Sequence, residues 1–486
     1  MKVLAFDFGA SSGRAIMGTF ENGKISLEEI HRFDNDPVIV GKSFYWDILR
    51  LFHEIKQGIV KAKNTCDFES IGIDTWGVDY GLLNEKGELL GNPYHYRDER
   101  TVGTQKEMEL LISKEELYNI TGNQINEINT IFQLYAFKKS NPELLELVDK
   151  VILIPDLFNY FLTGEMKAEC SIASTTQLMN PYTKEWEFSL MDRLDLKREW
   201  FPEIVPAGTM VGRLKPQICD ELDVSPKNVI AVCEHDTASA VAAVPTSEKD
   251  FVFISCGTWS LFGTELDAPV ISDLSREYNI TNETGYNNTT RFLKNIIGLW
   301  LIQETRRQFK REGKNYSYAQ MEELARAEKP FTCFIDPDAP QFVAPGNMPQ
   351  RIKDFCRKTG QKVPETDGAV IRCIYESLAM KYKYTFLQLK ECCGKDFGVI
   401  HMVGGGTKDT FLCQMTADAA DVPVIAGPIE GTAAGNVAVQ LIAAGEISDI
   451  REARKIIADS FEVTRYSVKN HDVWEAAYPE FVKILI

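Results

Sequence analysis

A turn of small residues near the start of the chain has the composition of a phosphate-binding loop. Asp7 ends an apolar run that begins at Val3, and residues 9–13 then read Gly-Ala-Ser-Ser-Gly. A turn with so little side-chain bulk lets backbone N–H groups approach an anion, and the serine hydroxyls add donors. A carboxylate at the end of the preceding strand can hold hydrated Mg²⁺. The alternative is a plain hairpin turn without a ligand.

This turn is followed by a strand rather than by a helix. Apolar character resumes from Arg14, so the pattern is neither G-x-x-x-x-G-K-[ST] nor G-x-G-x-x-G. A similar strand, turn and strand recurs in the second half of the chain, where residues 251–256 lead into Gly257 and Thr258 and then into 259–264. Two such hairpins, one in each half, predict an internal duplication.

Asp236 is the candidate for a general base. It follows the apolar run 228–233 and begins a stretch of small residues with helical character. Ligands of α/β sheets bind at the carboxyl ends of strands, so a carboxylate here is suited to face a ligand. The alternative is a helix N-cap, because Asp is among the residues preferred there.

A second strand end carries aromatic and small residues that suit a sugar. Residues 74–79 read Asp-Thr-Trp-Gly-Val-Asp, in which Gly77 permits close approach of a ligand and Trp76 offers an apolar face. A core tryptophan beside a structural glycine is the alternative. Residues 93–100 form a polar and aromatic loop, which favours either a polar ligand or a solvated surface.

A run of three glycines, residues 404–406, lies between a predicted strand (398–403) and a predicted helix (410–420). Bare backbone at this point would let a flat group such as a purine lie against it. A tight turn without a ligand is the alternative.

These residues require an α/β framework to position them. The periodicities predict strands over 3–6, from 14 and over 25–33, a helix over 46–63 and a strand over 70–74. Further along, residues 295–303 are predicted to open a helix and 368–390 to form a long one. The polar segment around residues 245–250 predicts a boundary between two domains, 1–245 and 246–486.

Composition excludes several classes of protein. A net charge of −17 argues against a nucleic-acid or anionic-membrane partner, and no apolar stretch is long enough to span a bilayer. The chain opens directly into a strand, which predicts a cytoplasmic protein. The 11 cysteines contain no C-x-x-C pair and the histidines no H-E-x-x-H, so neither pattern supports a zinc site.

Taken together, these segments resemble the FGGY family of carbohydrate kinases over essentially the whole chain, and within it the kinases that act on L-rhamnulose. The resemblance implies an α/β fold of two actin-like (ribonuclease H-like) domains with a cleft between them. It implies transfer of the γ-phosphoryl group of ATP to O1 of L-rhamnulose, with ATP and Mg²⁺ as cofactors. The segments that carry it are 7–14, 72–79, 235–240, 255–261, 293–303, 403–406 and 426–430.

The resemblance also implies roles for individual residues. Asp236 is expected to be the general base, and Asp7 is our choice for holding Mg²⁺. The residues expected to bind ATP are Ala10, Ser11, Ser12, Gly13, Arg14, Thr258, Gln303 and Gly405. Those expected to bind the sugar are Gly77, His235, Asp236, Thr237 and Asn295.

The chain departs from the family pattern after the three glycines. Lys408 and Asp409 stand where the family form has Gln-Asn, which leaves their contacts to the nucleotide open. The resemblance further raises disulfide pairing of Cys66 with Cys219 and of Cys356 with Cys373, although a reducing compartment favours free thiols.

Three functional alternatives remain at this level. A kinase for a related ketose, L-fuculose or a xylulose, is the nearest. An actin-like ATPase with a protein partner is less well supported, because no additional binding domain is evident in the sequence. A sugar-binding regulator lacks a recognisable helix-turn-helix or basic surface. The expected partner is a small ketose, without nucleic acid or membrane, and the oligomeric state, monomer or homodimer, stays open.

Overall fold

The computed structural model of the chain describes residues 1–485, which fold into two compact units. Unit 1 comprises Met1–Ser247, Glu265–Phe292 and Glu430–Phe461, and unit 2 comprises Glu248–Thr264, Leu293–Ile429 and the segment that follows Phe461. The domain ranges 1–245 and 246–486 stay a prediction. Among the described residues, no helix is long and apolar enough to cross a membrane.

Strands and helices are mixed throughout both units, which confirms the α/β class. The strands are β1 (Lys2–Phe8), β2 (Ser12–Glu21), β3 (Lys24–Asp34), β4 (Val38–Val40), β5 (Ser43–Tyr45), β6 (Ser70–Thr75), β7 (Tyr80–Leu83), β8 (Lys150–Leu153), β9 (Ala168–Glu169), β10 (Ile204–Val205), β11 (Thr209–Arg213), β12 (Asn228–Ala231), β13 (Val252–Cys256), β14 (Trp259–Leu266), β15 (Thr281–Thr284), β16 (Thr290–Ile297), β17 (Ile400–Val403), β18 (Val424–Ala426) and β19 (Thr464–Tyr466). The helices are α1 (Ile48–Thr65), α2 (Thr104–Met108), α3 (Lys114–Thr121), α4 (Thr130–Ser140), α5 (Pro142–Leu145), α6 (Ile154–Thr163), α7 (Cys170–Ala173), α8 (Phe188–Arg193), α9 (Pro216–Leu222), α10 (Asp236–Ala242), α11 (Asp273–Glu277), α12 (Trp300–Arg311), α13 (Tyr318–Arg326), α14 (Met348–Lys358), α15 (Asp367–Cys393), α16 (Thr410–Ala420), α17 (Gly431–Ala443), α18 (Ile450–Ser460) and α19 (His471–Val482).

The sheet of unit 1 is built around β1. Its strand order is β11-β12-β6-β1-β2-β3. β1 pairs antiparallel with β2 across the small-residue turn and parallel with β6, and β6 pairs parallel with β12. Because β1 is almost entirely buried, most of its residues are apolar, and apolar and polar residues do not alternate along it. The carboxyl ends of three parallel strands therefore meet at one edge of this sheet.

Two helices from late in the chain complete the core of unit 1. Buried side chains of α17 and α18, including Val437, Leu441 and Ile457, pack with Val3 and Ala5 of β1. Polar side chains of α17 also bind the sheet: Asn436 Nδ2 donates to Asp74 Oδ2 at 2.6 Å, and Gln440 accepts from Ser70 Oγ at 2.7 Å. Helix α17 is thereby fixed against the strand ends that carry the polar residues.

The sheet of unit 2 repeats this topology. Six of the seven strands of this sheet follow the order β16-β14-β13-β17-β18-β19. β13 pairs antiparallel with β14 across the second turn and parallel with β17, which pairs parallel with β18; β18 and β19 are antiparallel, as are β12 and β11 in unit 1. The six positions therefore match one for one, and the predicted duplication is confirmed.

One predicted helix was placed too early in the sequence. Residues 295–303 were expected to open a helix, but Asn295 lies on β16 and α12 begins only at Trp300. The strand ends where Gly298 approaches Ser260 so closely that an added Cβ would lie 2.4 Å from its Oγ. Apolar residues fit a buried strand and a buried helix equally well. Only this close packing shows where the strand ends and the helix begins.

Candidate active site

Three carboxylates lie at the ends of the parallel strands of unit 1. Asp7 is near the end of β1 and is the register partner of Asp74 on β6. Asp236 follows β12 and is the first residue of α10, and the backbone of Thr75 bridges to His235 beside it. The predicted base and the predicted metal ligand are thus brought to the same sheet edge, together with Asp74, which was not predicted as a site residue.

The predicted phosphate turn is tightly held by backbone contacts. Gly9 N donates to Ser12 O at 2.9 Å, and Asn35 Nδ2 donates to Gly9 O at 2.9 Å. Ser11, at the tip, is exposed. A Cβ on Gly13 would lie 2.3 Å from the ring of Phe33, so a glycine is required there by packing alone. Ala10, Ser11 and Ser12 thus form a fixed turn open to solvent at its tip.

Arg14 links the turn to the start of α17. Its guanidinium donates to Asp7 Oδ2 at 2.5 Å and to Glu430 Oε2. Burial disfavours the charged guanidinium, but attraction to Asp7 and Glu430 outweighs it and raises the pKa of Arg14. Glu430 was not predicted as a site residue, and a contact to a residue so distant in the sequence leaves no local signal.

The carboxylates of Asp7 and Asp74 fit a divalent cation. Asp74 is fully buried, and its Oδ1 has no hydrogen-bond partner among the described residues. Burial and then the neighbouring charge of Asp7 raise the pKa of Asp74 well above its ordinary value. An unsatisfied oxygen beside a second carboxylate is the kind of oxygen donor set that Mg²⁺ takes, usually with several waters.

Asp236 presents only one of its carboxylate oxygens to the surrounding protein. Oδ1 accepts from Thr237 N at 2.5 Å and from Thr237 Oγ1 at 3.2 Å, and it lies 3.5 Å from His235 Nε2. Within the described chain, Oδ2 accepts no hydrogen bond. Burial raises the pKa of Asp236, with attraction to His235 opposing it and repulsion from Asp7 adding to it. The N-cap of α10 is His235, so the alternative role of Asp236 as a cap is not what the geometry supports.

His235 is oriented by a buried ion pair. Its Nδ1 lies 3.1 Å from Arg291 Nη2 and 3.3 Å from Glu283 Oε2, and Arg291 is fully buried. A guanidinium can only donate and a carboxylate can only accept, so Nδ1 lies between a donor and an acceptor of this ion pair. Burial opposes the charge of Glu283, but attraction to Arg291 together with the contacts to His235 outweighs burial and lowers the pKa of Glu283.

Hydrogen bonds to Glu169 and Ser171 fix the backbone of the two residues before Asp236. Glu169 Oε2 accepts from Glu234 N at 3.1 Å and from Ser171 Oγ at 2.5 Å. His235 N in turn donates to Ser171 Oγ at 3.2 Å. All of these groups are buried, so the turn that carries His235 and Asp236 has little freedom to move.

Gly77 lies in a constrained segment beside this edge. A Cβ on Gly77 would come within 3.1 Å of Thr175, whose Oγ1 also accepts from Val78 N. Val78 has a φ of 70°, which is strained for a β-branched residue. Trp76 is only 5% exposed and donates to Asp79, so it belongs to the core rather than to a sugar-facing surface.

In unit 2 the second turn meets the start of α12. Trp300 N donates to Thr258 O at 3.1 Å, and Thr258 Oγ1 donates to Gln303 Oε1 at 3.4 Å. Two of the residues predicted to bind the nucleotide are therefore in direct contact. Asn295, predicted to bind sugar, also lies in unit 2, on β16.

The three consecutive glycines, residues 404–406, differ in their surroundings. A Cβ on Gly406 would lie 2.2 Å from Cys256 Sγ, whereas none of the described atoms lies within 4 Å of a Cβ on Gly405. Gly405 thus has the free space that a ligand requires. Lys408 is exposed, and Asp409 is the N-cap of α16, where its Oδ1 accepts from Leu412 N at 2.9 Å. Asp409 therefore has a structural role as a helix cap, which the Asn of the family form would also serve.

Comparison with known proteins agrees with this arrangement. Residues 2–243 match the N-terminal domain of the FGGY family of carbohydrate kinases, and residues 252–444 match its C-terminal domain. The chain is 42% identical to rhamnulokinase of Bacteroides thetaiotaomicron over 98% of both chains. It is 43% identical to rhamnulokinase of Oceanobacillus iheyensis over 96% of this chain and 98% of that one.

Solved structures with low sequence identity share the fold. A ligand-bound xylulose kinase from Lactobacillus acidophilus superposes with a TM-score of 0.83 at 16% identity, covering 99% of this chain and 97% of that one. A glycerol kinase from Plasmodium falciparum with ADP gives a TM-score of 0.79 at 15% identity, covering 100% and 98%. At such identities the likeness concerns the fold alone.

Proposed function

The chain belongs to the FGGY family of carbohydrate kinases, and on this basis we propose that it transfers the γ-phosphoryl group of ATP to O1 of L-rhamnulose. The observation that carries the proposal is similarity along the whole chain to proteins named rhamnulokinase. Three carboxylates at one sheet edge of unit 1 supply groups suited to the chemistry. The cytoplasmic location stays a prediction, and the oligomeric state, monomer or homodimer, stays open.

Asp236 acts as the general base in this proposal. A sugar hydroxyl has a pKa far above neutral, so its proton must leave while the new O–P bond forms. Oδ2 of Asp236 is the oxygen suited to accept that proton, because all the hydrogen bonds to the carboxylate go to Oδ1. Gly77, His235, Thr237 and Asn295 would contact the sugar.

Asp7 and Asp74 would hold Mg²⁺, which when bound neutralises charge on the phosphates. The turn Ala10–Gly13 would offer backbone and hydroxyl donors to the phosphate oxygens. Arg14 would hold the Asp7 carboxylate in place through its ion pair. In unit 2, Thr258, Gln303 and Gly405 would contact the nucleotide, and the open space at Gly405 supports this.

A coupled assay of ADP release across a panel of ketoses tests the proposal. The panel contains L-rhamnulose, L-fuculose and D- and L-xylulose, each with ATP and Mg²⁺. We expect the highest kcat/KM with L-rhamnulose, and ³¹P coupling in the product should assign the phosphate to O1. A higher kcat/KM with another ketose would overturn the sugar assignment. ADP release that no sugar stimulates would overturn the kinase assignment.

A further inference from the structure

Three buried cysteines of unit 2 bring their thiols together. The Sγ atoms of Cys333, Cys356 and Cys373 all lie within 4.8 Å of one another. Cys356 is on α14, Cys373 is on α15, and Cys333 lies in the segment between α13 and α14. None is more than 3% exposed. Three separate segments therefore converge on one point.

The spacing suits a metal ion coordinated by sulfur. At a metal–sulfur distance of about 2.3 Å, three sulfurs around one ion are about 4 Å apart. Within the described chain, this group contains no His, Asp or Glu, so hard ions such as Mg²⁺ or Ca²⁺ have no donors here. Thiolate sulfur selects soft and borderline ions such as Zn²⁺.

We infer that Cys333, Cys356 and Cys373 form a binding site for one thiophilic metal ion of the Zn²⁺ type. The ion ties α14 and α15 to the segment before them and stabilises unit 2. It is distinct from the proposed Mg²⁺ of unit 1 in its donor atoms, and it takes no part in phosphoryl transfer. The inference does not depend on the identity of the sugar.

Metal content and thermal stability of the full-length protein test the site. The reduced protein is stripped with a chelator, incubated with one equivalent of Zn²⁺ and passed through gel filtration. We expect about one zinc per chain and a higher melting temperature than that of the stripped protein. Zn²⁺ should also protect these three cysteines, and not the other eight, from alkylation as mapped by mass spectrometry.

Cysteine variants identify the ligands. Cys333→Ser should lower the zinc content to about none, whereas Cys393→Ser, at the far end of α15, should leave it at about one. Cd²⁺ should give a thiolate charge-transfer absorption in the unmutated protein that Cys333→Ser weakens. Three results would each overturn the inference: no retained zinc, zinc that Cys333→Ser does not reduce, or a Cys356–Cys373 disulfide in freshly isolated, metal-free protein. If Cys333→Ser does not fold, the alkylation map of the unmutated protein decides.

Discussion

Asp236 leaves its carboxylate Oδ2 without a hydrogen bond from the described chain while Oδ1 receives two. Replacing the residue with Asn keeps its shape but removes the base, so kcat should fall by roughly 10²–10⁴-fold. Stability should change little, because His235 and not Asp236 is the N-cap. Asp449→Ala is the control: it removes the side chain that caps α18, so it should lower the melting temperature and leave kcat unchanged. A destabilised but fully active Asp236→Asn protein would remove Asp236 from the mechanism.

The acid limb of the pH profile gives a second measurement on the same base. Burial raises the pKa of Asp236, so the carboxyl takes up its proton at a higher pH than an exposed Asp. Activity should fall as the pH decreases through that value, since the protonated acid cannot accept the hydroxyl proton. We expect the apparent pKa of kcat/KM on the acid side to lie above the ordinary 3.8 of Asp. An Asp236-dependent limb at or below that value would contradict the assignment.

Substitution of Asp7 tests its proposed role in holding Mg²⁺. Asp7→Asn removes one of the two neighbouring carboxylates, so the Mg²⁺ concentration for half-maximal activity should rise by about tenfold or more. Affinity for the sugar, measured by calorimetry without nucleotide, should stay unchanged. Asp67→Asn, which removes an exposed partner of Lys227, should alter neither quantity. Loss of sugar affinity with unchanged Mg²⁺ dependence would show that Asp7 contacts the sugar and does not hold Mg²⁺.

Glu283 tests whether the ion pair with Arg291 positions His235. Glu283→Gln should raise KM for the sugar by about tenfold, the effect of losing one positioned hydrogen bond, while KM for ATP stays unchanged. The variant also leaves Arg291 buried without its partner, so the melting temperature should fall. Glu265→Gln breaks the comparable Arg454 pair of unit 1 and controls for that loss. If both variants raise KM for the sugar equally, Glu283 has only a structural role.

At the scale of elements, the crossing of α10 and α17 depends on one glycine. A Cβ on Gly435 would lie 1.8 Å from the carbonyl oxygen of Ser239, within the helix that begins at Asp236. Gly435→Ala should therefore force the helices apart and destabilise the protein by about 1–3 kcal/mol. It should also lower kcat, because α10 carries the base. Gly398→Ala, which would meet no described atom within 4 Å, should leave the melting temperature unchanged. A stable, fully active Gly435→Ala protein would contradict this close packing.

The elements that the sequence predicts well are those specified locally. The two hairpins, the buried strands and the helix that begins at Asp236 depend on nearby residues, and all appear where they were expected. The strand that carries Asn295 was predicted as a helix because its apolar run has no clear period. Asp74, Glu430, Glu283 and Arg291 reach the site through contacts between residues far apart in the sequence. Such contacts leave no local pattern, so the sequence alone could not assign them.

At the scale of the whole molecule, unit 1 is assembled from segments that are distant in the chain. Helices α17 and α18 cover β1 with buried aliphatic side chains such as Val437, Leu441 and Ile457. Each fully buried side chain of this size contributes about 1.5–3 kcal/mol. Three of them together are comparable with the roughly 5–15 kcal/mol of net stability that is typical of a native protein. Removing these helices should therefore abolish the stable fold of unit 1.

A fragment of residues 1–245 makes this prediction testable. The fragment should lack a cooperative thermal transition, because the face of β1 that packs with α17 is left exposed to water. Adding residues 430–461 through a flexible linker to residues 1–292 should restore that transition, since this protein contains all three segments of unit 1 together with residues 248–264 of unit 2. The same linked protein with Val437→Asp and Leu441→Asp is the control and should remain unfolded, because two buried charges have no partner in that core. Cooperative unfolding of 1–245 alone would instead support a domain boundary near residue 245 and would mean that α17 and α18 add little to the stability of the sheet.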